Sequence, residues 1–149
     1  MRKIKVYRGI MADSIESIDL GNLGVHWSAD QYFADGAGKG ENTKLSDAKL
    51  GSQNFILSTW VELESVNFDA TVESNNEYPH EYEIVLSQNL YIEVEINDDF
   101  GYVVFAGKAN TGTRSDDWAN KSYGNAYSDF ENLVNSLSEW ADVKFICKL

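Results

Sequence analysis

The stretch His80-Glu81-Tyr82-Glu83-Ile84-Val85-Leu86 decides the fold expected for this chain, because it places two carboxylates at the start of an apolar run. Side chains alternate between the two faces of a β-strand. On a strand over residues 81–86, Glu81 and Glu83 would therefore share one face, opposite the apolar side chains. The stretch predicts a buried strand that carries a pair of carboxylates where it begins.

The residues after this stretch predict a second strand. Residues 90–96 alternate apolar and polar side chains, and the polar residues 87–89 separate them from the first strand. A short polar connection between two alternating runs is typical of a β-hairpin. We therefore expect the strands over 81–86 and 90–96 to pair with each other.

The residues before the stretch predict one strand and then irregular structure. Residues 55–63 are rich in β-branched and aromatic side chains, which favours a strand. Residues 65–72 indicate a turn and a short extended piece. Residues 73–79 are polar and end in the only proline, so a loop is expected there.

Two further strands are predicted nearer the N-terminus. Ile4 and Val6 alternate with other residues up to Arg8, and Gly9 follows at once. Glycine allows a ligand to approach the backbone closely. A short strand is also predicted at His26-Trp27-Ser28. The N-terminal strand is thus expected to end in an arginine beside an open stretch of backbone.

The remaining signals complete an α+β pattern. Ser128 and Glu131 form a capping-box pattern at the start of the clearest helix, and residues 143–147 predict a last strand. Many strands, few helices and no regular β-α alternation indicate an α+β fold with a largely antiparallel sheet. A length of 149 residues is typical of one domain, so residues 1–149 are expected to form a single domain.

Composition excludes several classes of function. The chain carries a formal net charge of −12, with 12 basic against 24 acidic residues, which argues against binding to nucleic acid or to anionic membranes. Two histidines and one cysteine offer no zinc-site spacing, so no metal site is predicted. The N-terminus lacks an apolar signal segment and no stretch is long enough to span a bilayer, so a cytoplasmic location is expected.

Three short segments carry a resemblance to a known family. Tyr7-Arg8-Gly9, His26-Trp27-Ser28 and Glu81-Tyr82-Glu83 stand in the order of the motifs of the mono-ADP-ribosyltransferases of the arginine-serine-glutamate class. That class includes bacterial actin- and Rho-modifying toxins. The resemblance implies a small transferase-like fold with a split sheet. It covers residues 1–96, and residues 97–149 form an extension outside the matching motifs.

The resemblance also implies roles for these residues. It implies that NAD is the substrate and that Glu83 stabilises the positive charge that develops on the ribose, with Ser28 orienting it. Arg8 would bind the diphosphate, and Gly9 would leave room for it. Beside them, Tyr7 and Trp27 are expected to line the NAD site, with Trp27 stacking on a ring of NAD.

The partner and one residue assignment remain open. Glu81 is implied to lie next to the acceptor, which favours an arginine or guanidino group on a target protein. The family's usual serine motif is matched more closely by Ser58-Thr59-Trp60 than by the segment around Ser28. Ser28 is preferred because residues 55–63 resemble the strand that follows the serine motif. Ser28 is therefore the expected catalytic serine, and Ser58 is the alternative.

A competing hypothesis needs no catalysis. The net charge of −12 is also typical of an acidic inhibitor that presents carboxylates to a basic groove of a partner enzyme. Such a protein could be viral and act in the host cytoplasm. It would bind in a strongly salt-dependent way and would not respond to NAD.

Overall fold

The computed structural model describes residues 2–32, 34, 53–78, 81–98, 101–110, 126–137 and 145–147. Its strands are β1 (Arg2–Ala12), β2 (His26–Ser28), β3 (Gln53–Glu62), β4 (Glu83–Val85), β5 (Leu90–Asp98), β6 (Gly101–Ala109) and β7 (Phe145–Cys147). Its α-helices are α1 (Phe68–Glu77) and α2 (Ala126–Leu137), and 3-10 turns lie at η1 (Ile15–Ser17) and η2 (Leu63–Ser65). The α+β class predicted from the sequence is confirmed.

The strands form one antiparallel sheet in the order β4-β2-β1-β3-β5-β6, with β7 also paired to β1. The strand β1 is its centre. β3 pairs along one edge of β1 from Lys3 to Ala12. The other edge is shared, because β7 pairs with β1 from Arg2 to Ile4 and β2 pairs with it at Tyr7. The sheet therefore divides into two branches at β1.

One face of the sheet forms the hydrophobic core. Ile4 and Val6 of β1 lie on this face beside Leu57 of β3 and Ile96 of β5, and all four are fully buried. Burying a large aliphatic side chain contributes about 1.5–3 kcal/mol relative to leaving it exposed. The strand alternation predicted for β1 and β5 arises from this burial.

The segment before β2 joins the two ends of the sheet. The Leu23 backbone N–H donates to the Lys108 carbonyl of β6 at 3.0 Å, and the Leu86 N–H after β4 donates to the Val25 carbonyl at 2.8 Å. Gly107 permits this contact, since a Cβ there would lie 2.6 Å from Leu23 Cδ1. The sheet is thus curled, with β6 and β4 linked across residues 23–25.

The loop predicted for residues 73–79 is wrong, because most of it belongs to helix α1. Asn67 caps this helix, and its side chain accepts a hydrogen bond from the Ala70 N–H at 3.1 Å. The polar residues Thr71, Ser74 and Asn75 are buried against β4. Their polarity reflects hydrogen bonds to a neighbouring strand and not exposure to solvent. The turn and extended piece predicted over 65–72 are replaced by η2 and the first part of α1.

The pairing of the two alternating runs is also wrong. β4 pairs with β2, whereas β5 pairs with β3 and β6, so residues 87–89 connect strands on different sides of the sheet. Asn89 has a φ of +61° and its N–H donates to the Ala109 carbonyl at 2.7 Å. This left-handed turn directs the chain toward β6. The hairpin is formed by β5 and β6.

The predicted common face for the two glutamates is wrong too. β4 begins at Glu83, two residues later than expected, because Tyr82 has a φ of +48°. A bulky residue in the left-handed region breaks the extended conformation that strand alternation requires. Glu81 therefore lies before the strand, and the alternation rule does not relate it to Glu83.

The ends of the chain agree with the predicted elements more closely. Helix α2 begins at Ala126, two residues before the expected start at Ser128, and buries Val134 and Leu137. It packs against α1. β7 occupies the last predicted strand. No helix in the described part of the chain is long and apolar enough to cross a membrane.

Candidate functional site

Two of the predicted catalytic residues, Glu83 and Ser28, lie in one row across adjacent strands. Glu83 of β4 is directly opposite Ser28 of β2, and Ser28 is directly opposite Tyr7 of β1. Directly opposed residues of an antiparallel sheet project from the same face. Ser58 of β3 lies on the far side of Tyr7 and is opposite Glu95 of β5. Ser28 is thus the serine next to Glu83, and Ser58 lies two strands further away.

Glu83 is completely buried, and both of its carboxylate oxygens are in contact with polar groups. Oε1 contacts Nδ1 of His26, and Oε2 accepts a hydrogen bond from the Ser74 hydroxyl of α1. The Asn75 amide donates to the Glu83 backbone carbonyl at 2.7 Å. A buried carboxylate is strongly unfavourable unless it is hydrogen-bonded. These contacts therefore fix the orientation of the Glu83 side chain.

Ser28 is bonded to the backbone on either side of the site. Its hydroxyl donates to the Glu81 carbonyl at 2.8 Å and accepts from the Asp30 N–H at 3.0 Å. These are local contacts that hold the segment leading into β4. The Ser28 hydroxyl thus bonds to the backbone at residues 81 and 30, and not to the Glu83 carboxylate as the resemblance implies.

Glu81 and Tyr82 form the approach to β4. Glu81 is buried, with 8% of its surface exposed. The Tyr82 carbonyl accepts a hydrogen bond from the Ala29 N–H at 2.9 Å, which ties this segment to the end of β2. Burial, and next the negative charge of Asp30, raise the pKa of Tyr82 above its ordinary value. The phenol of Tyr82 therefore remains neutral at physiological pH.

Arg8 lies in the core row of β1 and not in the row of Glu83. It alternates with Tyr7 and is only 3% exposed. Its guanidinium donates to the backbone carbonyl of His26. Gly24 has a φ of +80°, and a Cβ there would lie 3.0 Å from Arg8 Cζ. The guanidinium therefore lies directly against glycine backbone.

The other residues predicted to bind NAD are buried. Trp27 is fully buried, and its indole N–H donates to the Gly24 carbonyl at 2.9 Å. Gly9 is buried in β1 opposite Ile56. Tyr7 is 4% exposed, with Lys5 Nζ 5.8 Å from its ring centroid. In this structure these side chains belong to the packed interior around the predicted site.

His26 of β2 contacts both Arg8 of β1 and Glu83 of β4. Its carbonyl accepts from Arg8 and its imidazole contacts Glu83. The sequence placed His26 in a motif strand and excluded it as a zinc ligand but indicated no role for it, although its position two residues before Ser28 places both on one strand face. Ser74 was missed because it lay in a segment predicted to be a loop. Among the described residues, no group of three or more His, Cys, Asp and Glu side chains could hold a metal ion.

Comparisons with known proteins add no relative to this description. No protein-family model, no curated protein and no solved structure matches the chain.

Proposed function

We propose that this chain is an NAD-dependent mono-ADP-ribosyltransferase that modifies a protein, with Glu83 as its catalytic residue. One observation carries the proposal. Arg8 and Glu83, which lie far apart in the sequence, both contact His26, and Ser28 lies on the strand between theirs. A cationic fork, a hydroxyl and a carboxylate are the groups that binding and cleavage of NAD require.

The proposed reaction balances with NAD and the acceptor alone. The bond between ribose C1′ and the nicotinamide nitrogen breaks, and its electron pair leaves with neutral nicotinamide. The Glu83 carboxylate stabilises the positive charge that develops on the ribose. A nucleophile of the acceptor forms the new bond to C1′ and loses a proton. Glu81, which precedes the strand of Glu83, is the carboxylate suited to accept that proton.

The same set of residues indicates the chemical class of the acceptor and the side chain that binds the diphosphate of NAD. The resemblance to the arginine-serine-glutamate class favours a guanidino acceptor, because a glutamate occupies position 81. Arg8 suits the diphosphate, since its planar fork bridges two phosphate oxygens. Arg8 and Glu83 are both buried, and they belong to opposite faces of the sheet. The proposal therefore requires that NAD binding displace side chains that cover Arg8 and Glu83.

The test measures nicotinamide release from NAD with and without agmatine, a small guanidino acceptor. Glu83→Gln keeps the shape of the side chain and is expected to lower the rate by about 100-fold or more. Glu93→Gln is the matched control, because Glu93 belongs to another Glu-x-Glu sequence and is exposed on β5. Circular dichroism verifies folding. A folded Glu83→Gln protein with the wild-type rate would refute the role of Glu83.

The competing function is that of an acidic protein that binds a basic groove. It is favoured by the net charge of −12 and by the exposure of Glu93 and Tyr91 on β5. Calorimetric titration with NAD separates the two functions. Heat of binding that disappears in Arg8→Ala supports the transferase. No binding of NAD by the wild-type protein supports the acidic interaction protein.

A further inference from the structure

We infer that His26 is a positioning residue that holds the Glu83 carboxylate and the Arg8 guanidinium in one fixed arrangement. This inference rests on the proposed function and adds a residue to its site. It is drawn from the contacts of His26, because the resemblance assigns no role to this histidine.

The first step concerns the Glu83 side chain. Its two oxygens are held from opposite sides, with His26 of β2 on Oε1 and Ser74 of α1 on Oε2. Glu83 has no exposed surface, whereas His26 is 12% exposed. With Glu83 ionised, as the proposed function requires, its oxygens only accept hydrogen bonds and His26 Nδ1 is the donor in this contact. His26 therefore supplies a donor that the buried carboxylate needs.

The second step concerns Arg8. The carbonyl that accepts from its guanidinium belongs to His26 itself. A shift of β2 at this residue moves the imidazole and the carbonyl together. The separation between the Arg8 fork and the Glu83 carboxylate is thus set by one residue. Arg8 belongs to the core face of the sheet and Glu83 to the opposite face, so His26 couples their positions across β2.

The chain offers matched variants for the test. In His26→Asn the side-chain amide nitrogen occupies nearly the place of Nδ1 and can donate to Oε1, whereas His26→Ala removes the donor. Ser74→Ala removes the hydroxyl from Oε2 and leaves the His26 contact in place. Each variant is first compared with the wild type by thermal denaturation. His26→Asn keeps the test informative where His26→Ala does not fold.

The first readout is independent of activity. In the 15N-labelled protein, the Nδ1–H proton of His26 is expected to give a slowly exchanging, downfield NMR signal because it is shared with a buried carboxylate. The signal is expected to disappear or shift strongly upfield in Glu83→Gln and to persist in Ser74→Ala. A His26 signal that is the same in the wild type and in Glu83→Gln overturns the inference.

The second readout separates kcat from KM for nicotinamide release. His26→Ala is expected to lower kcat by about 10–100-fold, as loss of an orienting contact typically does, with a smaller change in KM. His26→Asn is expected to recover most of the lost kcat. Equal kcat values for wild type and His26→Ala, with Glu83→Gln inactive, overturn the positioning role. A wild-type protein that retains the NMR signal but never cleaves NAD overturns the transferase function while the His26 to Glu83 contact stands.

Discussion

At one end of the sheet, β2 and β4 keep their polar and charged side chains largely buried, whereas at the other end β5 and β6 expose several side chains to solvent. Glu83 and Ser28 have no exposed surface, while Tyr91 is 80% exposed and Val104 is 46% exposed. Helix α1 packs on β4 and supplies hydrogen-bonding partners. The difference indicates that the helix packed over a strand, more than the sequence of the strand itself, determines whether its polar side chains are buried.

The two sides carry the same short sequence in different conformations. In Glu93-Val94-Glu95, the strand alternates as expected, with Val94 fully buried and Glu93 exposed. In Glu81-Tyr82-Glu83, the left-handed Tyr82 interrupts the alternation and both glutamates are buried. A Glu-x-Glu spacing is therefore compatible with a solvent face and with a buried site. Whether the glutamates of such a sequence are exposed or buried depends on the segment that precedes them.

The strongest test of this contrast replaces one glutamate on each side. Glu83→Ala leaves His26 Nδ1 and the Ser74 hydroxyl without their carboxylate partner. Each buried group left unsatisfied lowers the free energy of unfolding by about 1–3 kcal/mol. Glu93→Ala is expected to change it by less than about 0.5 kcal/mol because Glu93 is exposed. Urea denaturation measures both, and equal losses would remove the distinction between the two sides.

Substitution of Gly24 tests whether the Arg8 guanidinium is closely packed against the backbone just before β2. Gly24→Ala forces a Cβ into a left-handed conformation and to within 3.0 Å of Arg8 Cζ. The conformation alone costs about 1–2 kcal/mol, and movement of the guanidinium adds to it. Gly21→Ala is the control, because its nearest contact is Asp19 Oδ1 at an ordinary 3.5 Å. Thermal denaturation is expected to rank Gly24→Ala clearly below Gly21→Ala; similar melting temperatures would contradict the close packing.

Local sequence patterns predicted much of the fold. The strands β3 and β5 and the helix α2 appear where the sequence indicates them, within a few residues. These are long segments whose own periodicity reports which face is buried. The antiparallel character follows from the absence of β-α alternation.

Partners that are distant in sequence were not predictable in the same way. Pairing of β4 with β2, and not with β5, depends on the left-handed Asn89 and on contacts with β6. Helix α1 was hidden because three of its buried residues, Thr71, Ser74 and Asn75, are polar and bond to β4. Its two local signals were the capping Asn67 and the proline just after its end.

The candidate site shows the same division. The segments that carry Arg8, Ser28 and Glu83 were selected from the sequence and lie on neighbouring strands. The contact of His26 with Glu83 depends on side-chain direction across two strands, and that of Ser74 depends on a helix that was missed. Neither contact can be predicted from the spacing of nearby residues in the sequence.

The two serines that flank Tyr7 provide a smaller test. Ser28→Ala removes a donor to the Glu81 carbonyl and an acceptor for the Asp30 N–H. We expect a loss of about 1–3 kcal/mol in the free energy of unfolding, because these groups are largely buried. Ser58→Ala is expected to have the smaller effect, since Ser58 is also buried but lies on β3, away from the Glu81 and Asp30 backbone groups. The reverse order in urea denaturation would assign the structural serine to Ser58.

The smallest expected effect concerns the ionisation of Tyr82. Burial and the charge of Asp30 raise its pKa above the ordinary value of 10.0, so the folded protein holds this proton more tightly than the unfolded chain. The resulting stability is present below pH 10.0 and is lost as the pH rises through the folded pKa. Asp30→Asn is expected to lower the pKa of Tyr82, whereas Glu93→Gln on the far side leaves it unchanged. Ultraviolet titration of tyrosinate, with Tyr82→Phe as the reference, measures the shift; an equal response to both carboxylate substitutions would show that Tyr82 responds to overall charge and not to its neighbour on the β2 side.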